Sequence, residues 1–331
     1  MSILLKIVAG LALGLVGLLI LGAVATAVIS WRIEAKYPAR GRAVPVAGGH
    51  LNVVERGPAE AATTVVLLHG ASGNEADLMS AFGEDLARRY RVLAIDRPGH
   101  GWSDRVAGRA AAEPARQAAI IAEALRALNV RRAVVVGHSW AGAVLPNLAL
   151  DHPDVTGGLV ALAPVTHPWP GGGGVSWYYG PTASALGWLL THTLTTPAGY
   201  TIVSGAAGSV FRPQTAPPDY VERARIPLVL RPGPFLANAQ DVAGLREAVA
   251  AQAPRYPEIR VPTTFVAGDA DPIVSTEIHS RAAARAIPGA KLVLLPGIGH
   301  MLHHVAPEVI RAEIDELVGR VGTAQAATAR P

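Results

Sequence analysis

The chain has 331 residues, half of them apolar and only 16% charged, a balance that excludes disorder for most of its length. Cysteine is absent, which removes disulfides, iron–sulfur clusters, thiol nucleophiles and Cys-bearing zinc sites and leaves the redox compartment unreadable. The formal charge of +4 comes from 29 basic and 25 acidic residues, and the arginines are scattered among alanines rather than gathered with aromatics on one stripe, so nucleic acid is not an expected partner.

From Ile7 to Ile29 no residue is charged, and a helix of that length covers the roughly 30 Å hydrocarbon core of a bilayer. Trp31, Arg32, Lys36, Tyr37 and Arg40 follow as interfacial anchors would. Residues 1–30 are therefore expected to be a single-pass anchor with membrane lipid as its partner. A signal peptide cleaved near Ala23-Val24-Ala25 or Ala25-Thr26-Ala27, and hence export, is the alternative. The basic residues beyond the span outnumber Lys6, but a long following domain can override that count, so the side of the membrane stays open. Residues 31–43 read as a polar stem.

Val44–Ala47 and Leu51–Glu55, around Gly48-Gly49, predict a β-hairpin. Apolar runs then alternate with amphipathic stretches: strands at Thr64–Leu68, Arg91–Ile95, Ala133–Val136 and Leu159–Leu162, with helices between them and one from Trp140 to His152. Strands apolar on both faces and alternating with helices predict the α/β class, a mostly parallel sheet covered on both sides. The alternation stops over residues 164–260, rich in Pro, Gly and aromatics, and resumes with Thr263–Ala267, a helix at Glu277–Ala286, Lys291–Leu295 and a closing helix at Pro307–Val321. The expected plan is a core over 44–163 and 261–321, a cap inserted at 164–260, and a frayed tail at 322–331.

Ligands of parallel sheets bind beyond the carboxyl ends of the strands. There Gly137-His138-Ser139-Trp140-Ala141-Gly142 offers a hydroxyl on a sharp strand-to-helix turn, at a helix N-terminus that favours an oxyanion. Gly268-Asp269-Ala270-Asp271-Pro272-Ile273-Val274 and Gly297-Ile298-Gly299-His300 follow later strands. In these pieces the chain resembles the α/β-hydrolase superfamily over residues 44–320. Its nucleophile elbow is written G-x-S-x-G, from which Ala141 departs by one methyl, and its triad runs in the order Ser, Asp, His. The resemblance implies Ser139 as nucleophile, His300 as base and Asp271 as the orienting acid, with Asp269 the alternative acid. It also implies that His69-Gly70-Ala71-Ser72-Gly73 is the oxyanion loop, with the backbone N–H groups of Ala71 and Trp140 as donors.

Asp96, His100 and Ser103, in Asp96-Arg97-Pro98-Gly99-His100-Gly101-Trp102-Ser103, are read as structural, and His138 is given no catalytic role. His303 and His304 are read as surface or helix-start histidines, since a His-x-x-His-His metal set has no carboxylate at matching spacing. Trp169, Trp177, Tyr178, Tyr179 and Trp188, with Leu189 and Leu190, are candidate walls of an apolar pocket, or else ordinary packing of the cap. The expected function is cleavage of a small-molecule, lipophilic carboxylic ester with no metal or organic cofactor. Other serine chemistry on the same fold (C–C, thioester or amide cleavage, acyl transfer, perhydrolysis) and a non-catalytic anchored binding protein are the alternatives. Oligomeric state is not legible.

Overall fold

Eight strands form one sheet in the order β1-β2-β4-β3-β5-β6-β7-β8 in the computed structural model, which describes residues 3–171 and 178–328. They are β1 (Arg42–Val46), β2 (Gly49–Arg56), β3 (Thr64–Leu68), β4 (Arg91–Ile95), β5 (Ala133–His138), β6 (Thr156–Leu162), β7 (Thr263–Gly268) and β8 (Lys291–Leu295). β1 and β2 form the expected antiparallel hairpin, β2 pairs antiparallel with β4, and all other neighbours are parallel. The chain therefore adopts the α/β class that its alternating pattern predicts.

β3 and β5 show no alternation because both faces of the sheet are covered. Val66, Leu68 and Val135 pack on one side with the helices α2 (Pro114–Ala127) and α3 (Val144–Asp151). Val65, Leu67, Val134 and Val136 pack on the other with Phe82, Ile310, Ile314 and Leu317. Each such fully buried side chain contributes about 1.5–3 kcal/mol. After β3 the chain crosses to β4 on one side, then returns to place β5 on the other side of β3. The carboxyl ends of β3 and β5 thus flank a topological switch point, the crevice where open α/β sheets take their ligands.

Three segments differ from expectation. The first helix, α1 (Ile3–Lys36), runs through most of the supposed stem, because Ile33 and Tyr37 are buried against Leu228, Val229 and Leu230 and hold that turn to the body. The predicted helix after Ser139 is split into a 3₁₀ turn, Ser139–Ala143, followed by α3. The closing helix continues through Thr328 instead of fraying after Val321. Between β6 and β7 the described residues form no strand. They carry short turns and two longer helices, α4 (Thr196–Ser209) and α5 (Pro232–Gln252). With these labels, the closing helix is α6 (Pro307–Thr328).

Candidate active site

Ser139 leaves β5 with φ +52°, in the left-handed region that a residue with a side chain enters only where its surroundings enforce it. Those surroundings are tight. A Cβ on Gly142 would lie 2.2 Å from Cβ of Pro164, and one on Gly137 would lie 3.1 Å from the Leu145 side chain. Ala141 is fully buried, so its methyl group is absorbed by the core.

The strand-end residues converge. His300 Nε2 lies 2.9 Å from Ser139 Oγ, and His300 Nδ1 lies 2.8 Å from Asp271 Oδ2. A carboxylate only accepts, so Nδ1–H donates to Asp271 and Nε2 is left to accept the Ser139 hydroxyl proton. Asp271 is fixed in turn by the N–H groups of Ile273 and Val274, 2.8 and 3.0 Å from Oδ1. Of the two candidate acids, Asp271 meets the imidazole, whereas Asp269 accepts the Gly297 N–H at 2.6 Å, bracing the loops after β7 and β8.

The loop after β3 lies directly against the elbow. A Cβ on Gly70 would stand 3.0 Å from both Ser139 Cβ and His138 Nδ1, so a methyl there would have to push a neighbouring side chain aside. Ala71 follows Gly70 on this loop, and Trp140 follows Ser139 in the 3₁₀ turn, so the two candidate oxyanion donors are each the next residue along from the close contact between Gly70 and Ser139.

Sequence reasoning missed the group that holds this loop. Arg97, fully buried, donates to the carbonyls of His69 (2.9 Å) and Gly70 (3.1 Å), to Gln117 Oε1 (2.8 Å) and to Asp241 Oδ2 (2.8 Å). Its guanidinium stacks 4.1 Å from the Trp140 ring centre, and Trp140 Nε1–H donates to the Asp241 carbonyl at 3.0 Å. His69 accepts the Arg97 N–H, and burial together with the neighbouring guanidinium lowers its imidazole to about 3, keeping it neutral. One turn before Asp241 on α5, Asn238 accepts the Ser72 N–H at 2.6 Å and donates to Ser72 Oγ and Tyr179 Oη. A charged pair, Asp96-Arg97, directly after β4 is the trace of this clamp in the sequence.

Asp96 is structural, as expected. It accepts from Asn52, from the Glu75 N–H and from the Trp102 N–H, and burial beside Glu75 raises its carboxyl to about 7. His100 is buried beside Arg97, and the Ser103 hydroxyl donates to the Asp96 carbonyl.

The surface reading of His303 and His304 is corrected. They open a short helix, Leu302–Val305, but His303 is fully buried, and both rings face the carboxylate of Asp77, His303 Nε2 at 3.3 Å and His304 Nε2 at 2.9 Å. The carboxylate that local spacing could not supply comes from more than 220 residues earlier, in the segment after β3. Ligand-type atoms of the three lie within 4.8 Å of one another, a set that could hold a metal ion. As it stands, the set is a hydrogen-bond network. Burial raises the Asp77 carboxyl, but the two imidazoles outweigh it and hold it well below the usual carboxylate range. Burial lowers His303 to about 4, so it donates as a neutral ring. His138 packs 4.3 Å from the His303 ring centre and donates Nε2–H to the His300 carbonyl at 3.1 Å, linking this network to the loop that carries His300.

Of the five aromatics, the four described ones lie in different surroundings. Tyr179 reaches the oxyanion loop, its hydroxyl 3.4 Å from Ser72 Oγ, with the Tyr178 ring 4.6 Å away. Trp169 packs onto the sheet core edge-on to His279. Trp188 is 64% exposed and stacks on His192, and Trp177 lies outside the described residues. An apolar side chain reads the same in sequence whether it faces a cavity, a core or another medium.

Comparisons agree with this architecture. The chain is 29% identical over 305 residues to the Magnesium-chelatase 30 kDa subunit of Rhodobacter capsulatus, covering 83% of this chain and 94% of that protein. It is 27% identical over 318 residues to Epoxide hydrolase A of Mycobacterium tuberculosis, covering 84% and 97%. The crystal structure of a membrane phospholipase A, described as a bacterial virulence factor, superposes with a TM-score of 0.66 at 21% identity over 96% of this chain and 98% of that one. The profile described as the alpha/beta hydrolase family matches residues 65–313, and the chain belongs to that family.

Proposed function

We propose that the protein is a membrane-anchored serine hydrolase that cleaves lipophilic carboxylic esters through an acyl-enzyme on Ser139. The observation that carries this reading is the continuous relay from Asp271 through His300 to Ser139, with links of 2.8 and 2.9 Å at the carboxyl ends of β7, β8 and β5. A serine hydroxyl is a poor nucleophile near neutral pH. His300 Nε2 takes its proton as Oγ attacks the ester carbonyl, while Asp271 holds the ring and balances the imidazolium. The carbonyl oxygen becomes an oxyanion facing the N–H groups of Ala71 and Trp140. Collapse breaks the C–O bond, and His300 returns the proton to the departing alcohol. Water, deprotonated by His300, then attacks the acyl carbon; collapse breaks the bond to Ser139 Oγ, which recovers the proton from His300 as the acid is freed.

Epoxide opening, the activity in the name of the Mycobacterium relative, is disfavoured here. The elbow carries Ser139 where the epoxide-opening branch carries Asp, and the Tyr179 hydroxyl is engaged with Ser72 and Asn238. Two features support the lipophilic, anchored reading. α1 is apolar and long enough to cross a membrane, a test that a signal sequence also passes. Ile33 of α1 and Tyr37 just beyond it pack on the body after the candidate cleavage sites, while Gly22, before those sites, lies so close to the insertion that a Cβ there would stand 2.2 Å from the Thr193 carbonyl oxygen, a contact that cleavage near Ala25 would remove.

The test uses full-length protein in detergent, a fluorophosphonate label and a chain-length series of chromogenic esters. Wild type should label stoichiometrically, and Ser139→Ala should lose the label and at least about 10³-fold of its turnover. Full turnover in the variant would overturn the mechanism.

A further inference from the structure

In the inserted segment a second apolar surface lies beside α1. The 57 residues between Asp154 and Arg212 contain no Asp, Glu, Lys or Arg. Within that segment Leu186, Trp188, Leu189, Leu194, Tyr200 and Ile202 are exposed, Trp188 by 64%, Leu194 by 59% and Ile202 by 62%. Among the described residues, every exposed large apolar side chain other than Ile273 lies either on α1 or in this stretch. Such a concentration is uncommon on a surface that meets water.

The position of the stretch is set by α1. Gly22, Thr26 and Ser30, spaced four apart, turn one stripe of α1 toward the insertion, and a Cβ on Gly22 would stand 2.2 Å from the Thr193 carbonyl oxygen. Small residues at this spacing let helices approach closely in lipid. Gly22 lies seven residues before Ile29, the last residue of the uncharged run, and at 1.5 Å per residue this is roughly 10 Å along the axis. If the bilayer covers α1 up to Ile29, Thr193 and its neighbours lie below the level at which the hydrocarbon ends. Elements that rest in a membrane interface reach roughly 5–10 Å below it. On the other side, the ion pairs Glu34–Arg231 and Lys36–Glu222 join α1 to the body just past that level, where headgroups and water would meet them.

We propose that the face carried by residues 186–202 is embedded in the leaflet through which α1 leaves the membrane, so that the protein is held by one spanning helix and one monotopic surface whose partner is lipid hydrocarbon. The proposal rests on the reading of α1 as a membrane anchor, and Trp31 and Trp188 allow the two to be tested apart.

The experiment places the full-length protein in phosphatidylcholine vesicles whose acyl chains are brominated at defined depths, and measures tryptophan emission in wild type, Trp31→Phe and Trp188→Phe. Quenching that disappears in part with each substitution is the expected result, since both indoles then sit within reach of the brominated chains. Quenching of Trp31 with none attributable to Trp188 overturns the embedded face and leaves the anchor standing. Quenching of neither overturns both. Leu194→Asp with Ile202→Asp, checked for native circular dichroism, should withdraw Trp188 from the quencher and shift its emission to the red, with Trp31 unaffected. Undiminished quenching of Trp188 in that variant would also refute the proposal.

Discussion

Arg97→Met gives a demanding test of how this site is held together. The guanidinium is fully buried and makes five hydrogen bonds, two of them to the carbonyls of the oxyanion loop and one to Asp241. Methionine fills similar volume but leaves the Asp241 carboxylate buried with less compensation. Breaking a buried pair in this way costs about 3–5 kcal/mol. The lower end is expected, because Gln117 Nε2 still donates to Asp241 at 2.9 Å and Arg105 Nη2 remains 2.8 Å from its other oxygen. Adding Asp241→Leu removes the stranded charge, so the double variant should regain at least about half of the loss. Turnover should behave differently. Without the clamp on His69 and Gly70 the Ala71 donor is no longer held in place, and loss of one oxyanion donor is worth about 10²–10³ in kcat. Turnover should fall toward that range in the single variant and stay low in the double. Urea unfolding in micelles, followed by tryptophan fluorescence with Trp140 as a buried reporter, measures the first quantity, and hydrolysis of a chromogenic ester the second. A single variant within about 1 kcal/mol of wild type, or a double variant less stable than the single, would refute the reasoning.

Asp271→Asn should lower kcat by about 10⁴-fold, because the amide favours the wrong tautomer of His300, whereas Asp269→Asn should keep most of the activity; the reverse pattern in parallel kinetics would reassign the acid. Gly70→Ala forces a methyl to 3.0 Å from Ser139 Cβ and should depress kcat far more than KM; an unchanged kcat would show that the loop yields freely. Acidification should destabilise the fold. Burial holds His69, His279 and His303 near 3, 4 and 4 against 6.5 in the open chain, so the unfolded state binds more protons below about 6.5, and their stabilisation is complete above that pH and lost as it falls toward 4. Asp96, raised to about 7, acts in the opposite sense between its unfolded value and 7, but as one group against three. Melting temperature should therefore drop from pH 7 to pH 5, and His303→Asn should make that drop shallower, each group being worth about 1.4 kcal/mol per pH unit; an unchanged slope in the variant would remove His303 from the account.

The strands were legible because a doubly covered sheet writes itself as continuous apolar runs, as in Thr64–Leu68 and Ala133–Val136. The convergence of Ser139, Asp271 and His300 was legible because parallel strands bring their carboxyl ends to one edge, whatever the sequence distance between them. Partners with no such rule were not legible. Asp77 meets His303 and His304 from 226 and 227 residues away, and no local spacing encodes that meeting. The stem was misread for a different reason. Glu34, Ala35 and Lys36 are good helix formers, and their charges mark ion pairs with the body rather than the end of the helix.

The insertion is more than a cover laid over a finished site. Asn238 and Asp241 lie three residues apart on α5, hence on one face of it, and each holds a different wall of the catalytic crevice. Asn238 fixes the backbone of Ser72 in the loop after β3. Asp241 balances Arg97 with its carboxylate and receives the Trp140 indole with its carbonyl. Removing the insertion would therefore leave a fully buried guanidinium without its carboxylate and free both candidate oxyanion donors from what positions them. Before α5, Gln214 also ties the loop that carries His300, donating to the Gly297 carbonyl and accepting the Gly299 N–H, so the part of the insertion able to differ among relatives without that penalty is residues 178–211, which meet the loop after β3 through Tyr179. On this argument substrate preference should be set by residues 178–211 and catalytic competence by α5. Exchanging the former for a relative's segment should change the preferred ester chain length while Ser139 still takes a fluorophosphonate label, and loss of labelling in a folded exchange variant would show that the division is wrong.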